Sequence, residues 1–272
     1  MTLRGAQLLY AYAFLPAGAD VDGLTGIDDQ PVSLLAEGEV AAALSAVPAE
    51  QFEEEPLNRL VGDMEWLAPR ATAHQAVNGA LMELTDALLP LSFGAVYRDS
   101  SSVARTLRER QDELRARLAA VRGCSEWVAT LQRDEARALD AAEIDDPELA
   151  RLQAEIAAAP PGRAFLLRRR VEDVRRAALA RMDQSAAQAA IAGLAQLVER
   201  VYAEPILRNT PDAPLARASL LVRRPNEAEL VEQVADLARR WDERGYLLRL
   251  TGPWPPYRFG STSPEEAGAA AR

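Results

Sequence analysis

Residues able to carry out chemistry are few and scattered in this sequence. It contains one histidine, His74, and one cysteine, Cys124. It contains arginine but no lysine. Without lysine the chain cannot form a Schiff base or supply the lysine of a phosphate-binding loop. No Gly-rich phosphate loop, nucleophile elbow or helical zinc motif occurs. We therefore predict no catalytic residue, no cofactor and no metal site.

Two pairs of carboxylates are better explained by structure than by catalysis. Asp63 lies two residues from Glu65, and Asp145 adjoins Asp146. Acid–base catalysis needs two carboxyl groups in different environments across a cleft, which closeness along the chain does not supply. We interpret both pairs as helix caps and solvated groups.

The histidine and the cysteine lack local partners. Catalysis or metal ligation by His74 would need partners at a defined spacing, and Glu65 or Glu83 would reach it only through the tertiary fold. A structural, hydrogen-bonding role is therefore favoured for His74. Because Cys124 is alone, an intrachain disulfide and a multi-cysteine metal site are excluded, and we interpret it as a small apolar filler.

The charge balance disfavours nucleic acid as a partner. The formal net charge is −10, so the field of the whole molecule repels phosphate backbones and anionic lipid. The densest basic run, Arg168–Arg170 with Arg175 and Arg176, is interrupted by Glu172 and Asp173. On a helix these positions spread around the cylinder, so a solvated face is favoured over an anion site.

No segment has the pattern of a secretion signal or of a membrane helix. The apolar run Leu8–Leu15 has the length of a strand, and acidic residues follow it where a small-residue cleavage site would be expected. No apolar run approaches the roughly 18 residues that a membrane span requires. We expect a soluble cytoplasmic protein without a membrane partner.

The first half of the chain predicts a ferredoxin-like α+β domain over residues 1–123. Its predicted elements are a strand at Gln7–Leu15, a hairpin of Pro31–Leu35 and Val40–Val47, a helix at Ala71–Leu88, a buried strand at Leu88–Tyr97, and a helix from Ser100 to Val121. This order is close to the split βαβ plan. Gly94 inside the buried strand indicates a bulge or a close backbone approach.

The second half predicts a helix-rich α+β domain with a small sheet, over residues 124–259. Its predicted elements are a strand at Ser125–Gln132, a helix from Asp146, one helix of roughly 60 Å over Arg163–Tyr202, a strand at Ala216–Val222, a helix from Pro225 and a strand at Tyr246–Leu250. The tail 260–272 is small and polar, and we expect it to be disordered.

The most unusual motif is LTGPWPPYRF, Leu250–Phe259, in which three prolines and three aromatic residues follow a predicted strand. Because proline fixes φ and removes a hydrogen-bond donor, we expect this arm to leave the sheet as a stiff extended segment. It either packs back on its own domain, which is favoured, or presents aromatic side chains to a partner. The candidate partner-binding residues are Trp254, Pro255, Pro256, Tyr257 and Phe259.

Several of these features together resemble the gas vesicle proteins of the F and L type. The features are Tyr10 and Tyr12 in a first strand, His74 in a helix, PLSFGAVY at Pro90–Tyr97, Glu126-Trp127 after Gly123, and LTGPWPPYRF. The resemblance covers the chain from about Leu8 to Phe259, and the closing motif is specific. The sequence departs from the family pattern at Ala129-Thr130, where a charged residue and a valine are usual.

The resemblance implies a two-domain α+β accessory protein of the gas vesicle, a gas-filled protein organelle. Such proteins help to nucleate or assemble the shell, associate with the small hydrophobic shell protein and with other accessory proteins, and are not known as enzymes. Self-association, the type and the shell-binding face stay open. Two rival hypotheses are an enzyme using His74 and arginines on a small anionic substrate at an interdomain cleft, and a nucleic-acid adaptor using Arg168–Arg176.

Overall fold

The computed structural model describes residues 6–145, 147–206 and 213–260, with side chains omitted for 142–145. The chain divides into two compact units. The described residues up to Glu126, together with those from Pro253 onward, form the first unit, and Trp127–Gly252 form the second. The sequence-based limits, 1–123 and 124–259, stay a prediction. This division instead places Cys124–Glu126 and the arm from Pro253 onward with the first unit. Apart from Gly260, the tail predicted over 260–272 lies outside the described residues.

The first unit is built on an antiparallel sheet. Its strands are β1 (Gln7–Pro16), β2 (Ser33–Glu37), β3 (Val40–Pro48), β4 (Leu89–Pro90) and β5 (Val96–Tyr97). The order is β2-β3-β1-β4, with β5 also pairing with β1. This confirms the predicted first strand and hairpin, and it is the strand order of the split βαβ plan. A loop containing a one-turn 3-10 helix (Ile27–Asp29) connects β1 to β2.

The helices of the first unit are α1 (Ala49–Phe52), α2 (Glu54–Leu60), α3 (Met64–Leu84), α4 (Ser100–Glu109) and α5 (Gln111–Val121). Helix α3 begins earlier than predicted because Asp63 caps it, accepting a hydrogen bond from the backbone N–H of Glu65 at 2.9 Å. The predicted helix over Ser100–Val121 is divided at Arg110. The short helix α10 (Tyr257–Gly260) also belongs to this unit.

The prediction of one buried strand over Leu88–Tyr97 is wrong. The chain pairs with β1 as β4 and again as β5, and between them it turns at Ser92–Gly94. Gly94 has φ of +92°, which a regular strand cannot contain and which favours glycine. The turn places Phe93 beside the ring of Tyr10, with 5.8 Å between ring centroids.

A bulge in β1 brings most of its large side chains to one core. The register with β3 shifts between Ala11 and Ala13, so Tyr12 is the extra residue and the alternation of faces changes there. As a result Tyr10, Tyr12 and Leu15 lie in one buried cluster with residues of α3.

The second unit contains a four-stranded sheet in the order β7-β8-β6-β9, apart from the first residues of β6 and the last residues of β9. Its strands are β6 (Cys124–Arg133), β7 (Arg200–Ala203), β8 (Ala216–Arg223) and β9 (Tyr246–Trp254). Its helices are α6 (Glu135–Asp145), α7 (Pro147–Ala158), α8 (Pro161–Ala195) and α9 (Glu227–Asp242), with a 3-10 turn at Arg224–Asn226. A mixed α+β fold is therefore confirmed for the chain.

Two predictions about this unit are wrong. The long helix ends at Ala195, and Arg200–Ala203 instead form a strand that pairs antiparallel with β8. The last strand does not stop at Leu250 but continues through Pro253 to Trp254. Strand β9 lies at the edge of the sheet, where one side of the strand has no partner strand. Pro253, which has no backbone N–H, therefore need not remove a hydrogen bond between strands.

Among the helices in the described part of the chain, none is both long enough and apolar enough to cross a membrane.

Candidate functional site

The candidate site is the arm together with the residues of the first unit that contact it, and His74 is one of these residues. His74 is on α3, is 3 % exposed, and has hydrogen-bonding partners at both ring nitrogens. The hydroxyl of Tyr10 lies 2.8 Å from Nδ1, and the amide nitrogen of Asn78 lies 3.1 Å from Nε2. Burial disfavours the charged ring and lowers the pKa of His74 to about 4, although a hydrogen bond with the backbone of Leu91 acts in the opposite direction.

Aromatic rings surround His74 on several sides. The ring centroids of Tyr10, Tyr12 and Phe93 lie 5.7, 5.8 and 5.9 Å from that of His74. The backbone N–H of Gly94 donates to the Tyr10 hydroxyl at 3.2 Å, so the turn between β4 and β5 also fixes this ring. Burial raises the pKa of Tyr10. We call His74, Asn78, Tyr10, Tyr12 and Phe93 the histidine cluster.

The arm ends on the histidine cluster. The hydroxyl of Tyr257 accepts a hydrogen bond from the amide of Asn78 at 3.2 Å and donates one to Gln75 at 3.1 Å. Its ring centroid lies 6.5 Å from that of His74. Burial raises the pKa of Tyr257 to about 12, so this hydroxyl keeps its proton near neutral pH.

Two further hydrogen bonds connect the first unit to the arm and to Gly260, the residue that follows the arm. The backbone N–H of Arg258 donates to a carboxylate oxygen of Glu126 at 2.7 Å, and the side chain of Arg117 donates to the carbonyl of Gly260 at 3.0 Å. Glu126 is only 5 % exposed, so its hydrogen bond to the arm compensates part of the cost of burying a carboxylate.

Within the second unit, Gly252 explains the glycine of the motif. It has φ of +148°, and a Cβ atom placed on it would lie 2.7 Å from the Trp127 ring. The backbone therefore approaches the indole at a distance that only glycine allows.

The five predicted partner-binding residues have different environments. Pro255 and Pro256 are buried, Tyr257 and Phe259 are half-buried, and Trp254 is exposed over 48 % of its surface. From its sequence, the arm is expected to pack back on its own domain, 124–259. Its residues after Trp254 instead bond to the first unit, through Gln75 and Asn78. The partner-binding role of the arm stays a prediction, and within the arm Trp254 is the side chain with the largest apolar surface available for it.

The candidate residues for chemistry have the following environments. His74 is enclosed and faces neutral groups, and Cys124 is buried. Within the described residues, no group of three or more His, Cys, Asp or Glu side chains is placed to hold a metal ion. Asp63 serves as the cap of α3, and the side chains of Asp145 and Asp146 lie outside the described set. Sequence reasoning missed Asn78, Gln75 and Arg117, because these residue types carry no local signal.

A match between this sequence and a protein-family model shows the family to which the chain belongs. The model described as "Gas vesicle synthesis protein GvpL/GvpF" matches residues 8–261. The chain belongs to the GvpL/GvpF family. This confirms the resemblance inferred from the sequence motifs.

Curated relatives agree with this GvpL/GvpF assignment. The chain is 33 % identical over 274 residues to "Gas vesicle protein L" of a Streptomyces species, covering 98 % of this chain and 97 % of the relative. It is 27 % identical to "Gas vesicle protein L2" of Halobacterium salinarum, over 89 % of this chain and 85 % of that protein.

Solved structures share the fold. The crystal structure of the gas vesicle protein GvpF from Anabaena superposes with a TM-score of 0.72 at 20 % identity, over 94 % of this chain and 99 % of that one. The GvpF structure from Microcystis aeruginosa gives a TM-score of 0.66 at 23 % identity, over the same shares. Membership of the GvpL/GvpF family supports a role in gas vesicle assembly for this chain.

Proposed function

We propose that this protein is a non-enzymatic accessory factor of gas vesicle assembly that binds the hydrophobic shell protein and other gas vesicle proteins. It would act in the cytoplasm and at the gas vesicle. Family membership supports the pathway, and the geometry of the arm supports the binding role. The observation that carries the proposal is that the arm is fastened by its last residues while Trp254 stands exposed just before them.

The arm is suited to binding an apolar surface because it is already ordered. Pro255 and Pro256 are buried, and Tyr257 is bonded through its hydroxyl, so holding Trp254 in place needs little further loss of entropy. Tryptophan is one of the residue types that are enriched in binding hot spots. In this proposal Trp254 contacts the shell protein, whereas Pro255, Pro256, Tyr257 and Phe259 position it.

Co-purification with the shell protein tests the proposal. The chain is co-expressed with tagged shell protein as wild type, as Trp254→Ser and as Val231→Ser. Val231 is a matched control, because it is exposed over 45 % of its surface, close to the 48 % of Trp254, but lies on α9. We expect wild type and Val231→Ser to co-purify and Trp254→Ser to be recovered at least about tenfold less, the loss of a hot spot.

Equal recovery of the two variants would remove Trp254 from the binding surface. The proposal as a whole fails if the wild-type chain does not co-purify with the shell protein and a strain lacking the chain still forms normal vesicles.

A further inference from the structure

The first turns of α8 expose an apolar and basic surface on a chain that is acidic overall. Phe165 is 61 % exposed and Leu166 is 66 % exposed, whereas Ala164 is buried on the opposite side of the helix. Three and four residues along an α-helix lie on one face, so Arg169 stands over Phe165 and beside Leu166. Arg163, Arg168 and Arg170 flank this face and are also exposed. We call residues 163–170 the basic patch.

Within the described part of the chain, most arginines of the basic patch form no ion pair. Arg170 lies 3.5 Å from Glu148 of α7. For Arg163, Arg168 and Arg169, no ion pair with a described residue occurs within 4.0 Å. An exposed pair of large apolar side chains ringed by arginine is suited to a partner that combines apolar and acidic groups.

Another exposed surface of the same chain has that complementary character. Residues 50–65 run from α1 through α2 to the start of α3 and carry six carboxylates against a single arginine. Among their exposed side chains are the apolar Met64, at 67 %, and Val61, at 39 %. Within the described residues these carboxylates form no ion pair. We call residues 50–65 the acidic segment.

We propose that the basic patch of one copy binds the acidic segment of a second copy of this chain. Phe165 and Leu166 would pack against Val61 and Met64, and the arginines would lie opposite the carboxylates. Because the two surfaces are different, each copy retains one free surface after the first contact. Such heterologous contacts add copies head to tail into a ring or an open chain. This inference does not depend on binding to the shell protein.

Charge reversal tests the proposal. The basic-patch variant is Arg168→Glu with Arg169→Glu, and the acidic-segment variant is Glu53→Arg, Glu54→Arg and Glu55→Arg. Sedimentation velocity is measured over a range of protein concentrations at low and at high salt. We expect the wild type to sediment faster as concentration rises, and this rise to be lost at high salt, where exposed charges are screened. Each variant alone is expected to lose the rise.

Mixing the two variants provides the decisive observation. In the mixture the surviving acidic segment of one variant meets the surviving basic patch of the other, and the two reversed surfaces are again opposite in sign. We therefore expect the mixture to recover the concentration-dependent rise. A control with Arg244→Glu and Arg249→Glu, two exposed arginines outside both surfaces, carries the same charge change as the basic-patch variant and is expected to sediment like the wild type.

Several results would overturn the proposal. They are a wild-type chain that stays monomeric at every concentration and salt, variants that associate as the wild type does, and a mixture that behaves as the sum of its parts. Circular dichroism and thermal melting identify a variant that fails to fold. If either variant does so, Phe165→Ser with Leu166→Ser replaces it, and this variant is also expected to lose self-association.

Discussion

At the scale of single residues, His74 has the surroundings with the clearest measurable consequence. Its ring is enclosed by the histidine cluster, and its pKa is lowered from 6.5 to about 4. In the unfolded chain the imidazole takes up a proton below about pH 6.5. The unfolded state therefore binds more protons than the folded state between about pH 6.5 and pH 4.

The free energy of unfolding should consequently fall as pH is lowered through this window. A difference of about 2.5 pH units at 1.36 kcal/mol each corresponds to a loss of about 3 kcal/mol from His74. Carboxylates titrate in the same region, so the test is the difference between wild type and His74→Gln. Urea unfolding between pH 4 and pH 7.5 should give a shallower pH dependence for the variant. Identical slopes would show that the histidine is not held neutral by burial.

The hydroxyl of Tyr257 belongs to the same residue-scale network. Changing Tyr257 to Phe removes one hydrogen bond from the amide of the buried Asn78, which keeps its bond to Nε2 of His74. The expected cost is therefore that of one ordinary hydrogen bond, about 0.5–1.5 kcal/mol. The control is Gln75→Ala, which removes the exposed partner of the same hydroxyl and leaves that hydroxyl to water. We expect urea unfolding to show a clear loss for Tyr257→Phe and a change within about 0.5 kcal/mol for Gln75→Ala. Equal losses in the free energy of unfolding for the two variants would contradict the claim that the buried bond to Asn78 stabilises the fold more than the exposed bond to Gln75 does.

At the scale of elements, Gly252 allows β9 to pass under the indole of Trp127. An alanine there would bring its Cβ to 2.7 Å from the ring in a backbone conformation with φ of +148°. The steric overlap with the ring and the unfavourable backbone conformation together predict that Gly252→Ala lowers the free energy of unfolding by roughly 2 kcal/mol or more. The matched change is Gly79→Ala within α3, where a Cβ meets nothing within 4 Å and helix propensity predicts a gain of about 0.5–1 kcal/mol. Two losses of similar size would contradict this explanation.

The elements also show which parts of the fold are encoded locally. The first strand and the hairpin follow from apolar runs separated by turn residues, and both are found as predicted. The division of Leu88–Tyr97 depends on Gly94 and on the packing of Phe93 against Tyr10, which no local pattern contains. Strand β7 was missed because Arg200–Ala203 continue a helical spacing, and only pairing with β8 makes them a strand.

The site was predictable by residue type but not by contact. The aromatic and proline content of the arm marks it as unusual within a few residues of sequence. Its anchoring on Asn78 joins positions 179 residues apart, and such a contact follows from the tertiary fold alone. The sequence likewise predicts a structural His74, whereas its partners Tyr10 and Asn78 become visible only in the structure.

At the scale of the whole molecule, the structure bears on the rival enzymatic hypothesis through His74. A histidine that is 3 % exposed and faces neutral groups is poorly placed to exchange protons with a substrate. We therefore expect His74→Gln to support vesicle formation to the extent that it remains folded. A His74→Ala protein that folds and binds the shell protein, yet forms no vesicles, would instead favour a catalytic role.

The central claim is that this chain acts in vesicle assembly through an exposed tryptophan on a fastened arm. The most direct measurement is complementation of a strain that lacks the chain, with gas vesicles counted by electron microscopy at matched protein levels. The account predicts that wild type and Val231→Ser restore vesicles, whereas Trp254→Ser yields few or none. Full restoration by Trp254→Ser, at the same protein level, would contradict it.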